Sequence, residues 1–232
     1  MQIKLLEISG VESIRQAGVM PYQSKAKELD KLAYRVWKAG HRSIARHSNI
    51  SFLIEGISQD ALRQLSRHPH INLTVKSTRY CDFKDTTFFM PDWIEKWGFE
   101  EWIEKDFRMI LKIYEKWQRT EKDYDKEDTA KLFLPLMSTT DLVMSGNIQA
   151  MYEFLMLRNC VRASEEIRKM SQTLTQLLSE QDGLVGMIFS DLDCKGKEFG
   201  YCPEHESCGK YEGTITRHNT AFGDITRSID IS

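Results

Sequence analysis

Pro69 is the residue that most limits how this chain can run. It stands within Arg67-His68-Pro69-His70-Ile71-Asn72-Leu73-Thr74-Val75-Lys76-Ser77-Thr78-Arg79-Tyr80, and a proline pushes the residue before it out of helical dihedrals. A helix arriving from upstream therefore stops near Arg67, and a loop is predicted from His68 onward. Two arginines, two histidines, a lysine, an asparagine and several hydroxyls share this stretch. Guanidiniums, backbone N–H groups and Ser/Thr hydroxyls are what a phosphate or a polar heterocycle requires. Loops leaving a rigid element commonly carry such groups. Taken alone, the run reads as a solvated basic turn; its flanks change that judgement.

Upstream, Ile50, Phe52 and Ile54 alternate with Ser51, Leu53 and Glu55, which predicts a strand. Ser58 can cap a helix running through Ala61, Leu62 and Leu65 to Arg67. Before that strand lies a second basic loop, Gly40-His41-Arg42-Ser43-Ile44-Ala45-Arg46-His47-Ser48. Loop, strand and helix together can bring His41 and Arg67 to one cleft. Earlier still, Ile3 to Ile8 reads as a short strand. Leu29, Leu32, Ala33, Val36 and Trp37 recur at helical spacing over 24–38, with Gly40 as a C-terminal cap.

Downstream, 81–90 suggests another strand through Thr86, Thr87, Phe88 and Phe89, and Pro91-Asp92 opens a helical region. Trp102, Phe107, Ile110, Leu111, Ile113, Tyr114 and Trp117 form an aromatic stripe at helical spacing, read as core packing. Residues 128–134 form a short helix stopped by Pro135, Ser138-Thr139-Thr140 reads as a break, and helices follow over 147–157 and 163–178.

The chain has 232 residues and a formal net charge of −2, enough for a real core and without an overall nucleic-acid or membrane signal. The start, Met1 to Leu6, is too short and charged for a signal peptide, and no apolar run spans a bilayer. Five cysteines, an odd number, do not read as a disulfide framework, so the expected compartment is the cytoplasm. Four tail residues, Cys194, Cys202, His205 and Cys208, can make a tetrahedral zinc site. Their spacing is not that of a standard zinc knuckle, and a set of unligated tail thiols is the alternative. Cys81 and Cys160 stand alone and read as packed.

Together these pieces resemble the flavin-dependent thymidylate synthases. That family is marked by Arg-His-Arg, seven residues and a serine; here Arg67-His68 and Ser77 keep the spacing, followed by Arg79-Tyr80. Gly40-His41-x-Ser43, Arg63-Gln64, Leu134-Pro135, Asn147, Phe154-Leu155-x-Leu157-Arg158 and Glu166-Ile167-Arg168 also match, over roughly 15–180. The resemblance implies an α+β fold, a mostly antiparallel sheet flanked by long helices. It implies one domain over 1–183, a tail over 184–232, and a homotetramer with shared active sites. The crowding of aromatics over 93–117 agrees with an assembly.

The implied activity is reductive methylation of dUMP to dTMP through FAD, with NADPH and methylenetetrahydrofolate as co-substrates. By the same resemblance dUMP is held by Gln64, Arg67, Ser77, Thr78, Arg79, Lys131 and Arg158. Arg158 is the candidate catalytic residue: a cation against a uracil carbonyl stabilises charge developing on the ring. On the cofactor side the resemblance places His41, Ser43, Arg67, His68, His70, Asn147 and Arg162.

Departures gather on that side. Pro69 replaces the motif's second arginine, Thr74 an asparagine and Val75 a glutamate. Arg46 replaces a glutamate, Gln149 an arginine, Glu153 an asparagine and Arg162 a histidine. The alternatives are a flavoenzyme adding another one-carbon group, such as hydroxymethyl, and a nucleotide-binding paralogue without catalysis. A zinc-tailed nucleic-acid binder is disfavoured, because the chain has no basic stripe.

Overall fold

Alternation builds the sheet. β2 (Asn49–Ser58) turns Ile50, Phe52 and Ile54 into the core and Ser51, Leu53 and Glu55 away from it. A computed structural model describes residues 1–23, 25–120 and 126–213. β1 (Gln2–Ser9), β2, β3 (Ile71–Val75) and β4 (Thr139–Gly146) form one antiparallel sheet in the order β1-β2-β4-β3. This is the α+β arrangement expected.

Two strands differ from the sequence reading. Residues 71–75 are not loop: Ile71, Leu73 and Val75 lean on the core while Asn72 and Thr74 face water, a period of two that is strand-forming. Ser138-Thr139-Thr140 is no break but the entry to β4, which buries Thr140, Leu142, Met144 and Gly146. Conversely, 81–90 is irregular, held to the entry of β4 by the Phe88–Ser138 bridge and by hydrogen bonds of Thr86 and Thr87 to Thr139.

Helices cover the sheet. α1 (Val11–Val19), which the sequence reading missed, packs on α2 (Leu29–Lys38), a helix beginning later than expected. Gly40 ends α2 at φ +92°, where its N–H donates to Trp37 O and the next N–H, of His41, to Val36 O. The positive φ is one that glycine adopts without Cβ strain. The following loop winds into a 3-10 turn, Arg42–His47. Gly10, ahead of α1, backs directly onto that turn: a Cβ there would lie 2.2 Å from His47 O.

Ser58 caps α3 (Gln59–Leu65), its Oγ accepting from Ala61 N at 3.1 Å. Asn147 caps α7 (Ile148–Arg158) in the same way, accepting from Ala150 N at 2.9 Å. α8 (Glu165–Ser179) and α9 (Gly183–Phe189) complete the main core with Leu174, Leu178, Leu184, Ile188 and Phe189. Residues 184–189 thus belong to the body rather than to the tail assigned from sequence.

The aromatic stripe is divided. In α4 (Asp92–Trp97) and α5 (Glu100–Gln118), Phe107, Leu111 and Tyr114 pack with Phe83 and Ala130 in a second, smaller core. Of the stripe itself, Trp102, Ile113 and Trp117 are exposed, as are Trp93 and Trp97 of α4, at 56% and 69%. Reading the whole stripe as core was wrong: one face of α5 packs into the smaller core and the other is exposed. Among the described residues no helix is long and apolar enough to cross a membrane.

Candidate functional site

Sheet register brings the two basic loops to one end. Ile50 of β2 and Ile71 of β3 both pair with Gly146 of β4, from opposite sides. With strands about 4.8 Å apart, their backbones are roughly 10 Å from one another. The 42–47 turn, His70 and the start of α7 therefore meet at this edge. Ser48 ties them: its Oγ accepts from Ile148 N at 3.0 Å and donates to Ala45 O at 2.6 Å. His70 rounds the corner at φ +63°, a left-handed conformation rare outside glycine.

From there α7 runs eleven residues, about 16 Å, and delivers Arg158 beside the other cluster. Arg158 Nε donates to His68 Nε2 at 2.8 Å, and Nη2 donates to Gln64 O at 3.3 Å. The His68 ring also stands edge-on to Phe154, one turn back along α7, at 4.8 Å. Burial, and after it the Arg158 charge, push the His68 imidazole down to about 4. His68 is therefore neutral, and with Nε2 accepting, its proton sits on Nδ1. Burial also lowers the Arg158 pKa, so this is a cation only partly hydrated and available to a ligand.

Of the predicted nucleotide groups, Gln64 touches this pair through its backbone carbonyl. Gln64 is held by Asp60 Oδ2 at 2.9 Å and Ser164 Oγ at 3.0 Å. Arg67 is exposed and makes no hydrogen bond or ion pair among the described residues. Ser77 Oγ accepts from Arg79 N at 3.2 Å, and Cys81 N donates to Ser77 O at 3.0 Å, folding 77–81 into a turn that contains Thr78. Arg79 and Lys131 converge on one carboxylate, Asp128, with Arg79 at 3.0 Å. The Lys131 hydrogen bond, and then the Arg79 charge, hold Asp128 below the usual carboxylate range.

The cofactor-side residues separate into two roles. His41 and Ser43 are exposed at the start of the 42–47 turn, available to a ligand. Asn147 spends its side-chain oxygen on capping α7. Arg162 points to the tail, donating to Glu206 O at 2.9 Å. Three substituted positions are wired together: Arg46 Nε donates to Gln149 Oε1 at 2.8 Å, and Gln149 Nε2 to Glu153 Oε1 at 2.7 Å.

One cluster escaped the sequence reading. Arg42, inside the basic loop, is paired with Glu198 of α10 (Lys195–Phe199), whose other carboxylate oxygen accepts from Tyr152 OH at 2.9 Å. The Arg42 guanidinium stands 5.2 Å from the Trp37 ring centre and 4.8 Å from that of Tyr152. Burial, and then Glu198, raise the Tyr152 phenol. A lone arginine among basic neighbours gave no hint of a partner 156 residues away.

A family model described as thymidylate synthase complementing protein matches residues 4–182. The chain belongs to that family. A flavin-dependent thymidylate synthase of Thermococcus onnurineus is 30% identical over 187 residues, covering 78% of this chain and 75% of the relative. Another, from Nitratidesulfovibrio vulgaris, is 30% identical over 186 residues, covering 76% and 74%. A crystal structure of thymidylate synthase X from Helicobacter pylori with FAD and dUMP is 25% identical with a TM-score of 0.64, covering 83% of this chain and 99% of that one.

The zinc set expected in the tail is not assembled. Among the described residues no group of three or more His, Cys, Asp or Glu side chains is arranged to hold a metal ion. His205 is exposed, while Cys194 and Cys202 are buried on a cavity wall that His205 does not share. Two residues separate His205 from Cys202 and from Cys208 alike, but the imidazole is exposed to solvent.

Proposed function

We propose that this family member is a flavin-dependent thymidylate synthase that methylates dUMP to dTMP, using methylenetetrahydrofolate and NADPH. The observation that carries the reading is the Arg158–His68 contact beside Gln64. A partly dehydrated cation stands at the end of a core helix, where the family motif ends. Two relatives and a solved structure of the same fold bear that activity in name or hold FAD and dUMP.

The donor set suits both ligands. Arg67, unengaged among the described residues, and Arg79 offer guanidinium forks for phosphate. His41, Ser43 and His70 are exposed at the sheet end where the flavin is assigned. His41, Ser43 and His70 would hold the flavin, which, once reduced by NADPH, would supply the hydride. This chain's residues do the rest. Arg158 opposes negative charge developing at a uracil carbonyl, a preorganised electrostatic contribution. His68, neutral, fixes the guanidinium by accepting from Nε. Gln64 holds the near end of the site through its backbone carbonyl. The exposed Trp93, Trp97 and Trp102 support a homotetramer, since such apolar groups seek a partner surface. Five reduced cysteines support a cytoplasmic setting.

The test combines purified protein, FAD, dUMP, methylenetetrahydrofolate and NADPH, with dTMP identified by mass. Absence of dTMP from a flavin-loaded protein would defeat the reading. The Arg46–Gln149–Glu153 chain favours a second reading, a different one-carbon group on the pyrimidine, because it rebuilds positions assigned to the flavin and folate side. A hydroxymethyl product in the same assay would decide for it. A colourless protein that refuses FAD would decide for a paralogue without catalysis.

A further inference from the structure

Two cations assigned to the nucleotide are joined through one carboxylate. Asp128 Oδ2 lies 3.0 Å from Arg79 Nη2, and Asp128 Oδ1 accepts from Lys131 Nζ. We propose that Asp128 competes with the nucleotide phosphate for Arg79, so that a dianionic phosphate monoester displaces it and a neutral nucleoside does not. This role rests on the thymidylate synthase reading of the site, and it makes Asp128 the residue that sets the charge the ligand must carry.

The two ion pairs are not equivalent. Asp128 sits on α6 (Lys126–Ala130), and the 3-10 turn Lys131–Phe133 follows at once, so Asp128 and Lys131 share one helical run. Side chains three residues apart on such a run are neighbours without any tertiary closure. Arg79 belongs instead to the 77–81 turn, where Ser77 Oγ accepts from its backbone N–H at 3.2 Å. The Arg79 side chain is 56% exposed and that of Asp128 30%. An ion pair this open to water is worth little, so Arg79 is the partner that can leave. Lys131 can keep Asp128 and still serve a second anion, because an ammonium has three donors.

Charge decides what displaces the carboxylate. Asp128 offers Arg79 a single negative charge, whereas a phosphate monoester carries about −2 at neutral pH on three strong acceptor oxygens. The Lys131 hydrogen bond, and then the Arg79 charge, keep Asp128 ionised at neutral pH, so ligand charge rather than protonation ends its hold. A nucleoside without phosphate leaves the Arg79–Asp128 pair intact. A carboxylate that served only to align the two cations would act in the opposite sense, since its removal would cost the phosphate a preorganised site. Arg79, with more than half its side chain in water, is not fixed in that way.

The experiment is titration calorimetry of the full chain, with FAD present, against dUMP and against deoxyuridine, for the natural protein, Asp128→Asn and Asp128→Glu. Asp128→Asn keeps the shape and an acceptor for Lys131 but removes the charge. It should bind dUMP about three- to tenfold tighter, the worth of an exposed ion pair together with the repulsion removed. Asp128→Glu keeps the charge and should stay within about twofold of the natural protein. Deoxyuridine affinity should be the same for all three. If Asp128→Asn does not fold, Asp128→Ser removes the same charge and gives the same comparison. Equal or weaker dUMP binding by the uncharged variant overturns the proposal. So does a gain for deoxyuridine as large as that for dUMP, because the effect would not act through phosphate. If dUMP binds none of these proteins, the thymidylate synthase reading falls and the role of Asp128 falls with it.

Discussion

Arg158 Nε donates to His68 Nε2 across 2.8 Å, joining residues that are 90 apart in sequence. The contact excludes a second proton on His68, because an imidazolium would have no lone pair to accept and would face a guanidinium.

Stability should therefore fall in mild acid. His68 is held at about 4 in the fold, below the ordinary 6.5. Between those values the unfolded chain binds a proton that the folded chain refuses, so acid favours unfolding. The His68 contribution is whole above pH 6.5 and is lost as pH falls toward 4. Urea midpoints across this range should drop more steeply for the natural protein than for His68→Gln. Parallel curves would show that His68 titrates normally.

Arg158→Ala should lower kcat about 100- to 1000-fold, the size seen when one preorganised charge-stabilising donor is removed. Arg79→Ala should instead raise the KM for dUMP about tenfold, as loss of one charge-assisted contact does. Steady-state kinetics separate the two. Equal effects on kcat would remove the distinction between activation and binding.

Glu198→Ala should destabilise the protein by about 1–2 kcal/mol, less than a fully buried pair because both side chains retain some solvent. Arg42 and Glu198 side chains are 22% and 26% exposed, and the change would leave Arg42 between Trp37 and Tyr152 without its carboxylate. The 42–47 turn should loosen, so FAD affinity falls while dUMP affinity holds. Calorimetry and fluorescence titration measure both; unchanged FAD affinity would mean the turn is set elsewhere.

Pro69→Arg should tighten FAD binding roughly tenfold to hundredfold, the equivalent of one charge-assisted hydrogen bond. The position is exposed, so an arginine meets no core. Fluorescence quenching reads the affinity directly. Identical titrations for the two proteins would place the flavin phosphates away from this corner.

Much of this molecule was written locally. Ser58 and Asn147 are helix caps because their side chains reach N–H groups three residues on, and Gly40 ends α2 because it alone tolerates the turn. The β2 alternation, the stop before Pro69 and the spacing of Arg67-His68 from Ser77 needed no fold to be recognised. The β4 alternation was equally present in Thr140, Leu142 and Met144, but the preceding Ser-Thr-Thr looked like a turn until Ile50 and Ile71 flanked it.

Partner choice was not local. Nothing near Arg42 specifies Glu198, nothing near Arg158 specifies His68, and nothing near Arg46 specifies Gln149. The aromatic stripe shows the same limit, since period 3.6 marks a face without saying whether anything covers it; Phe107 is buried and Trp102 is not. Capping, proline and alternation act over a few residues and are legible in the chain itself. Which charges meet, which ring is covered and which thiols share a cavity depend on how sheet register and helix packing close distances of many tens of residues, and only the tertiary structure decides them.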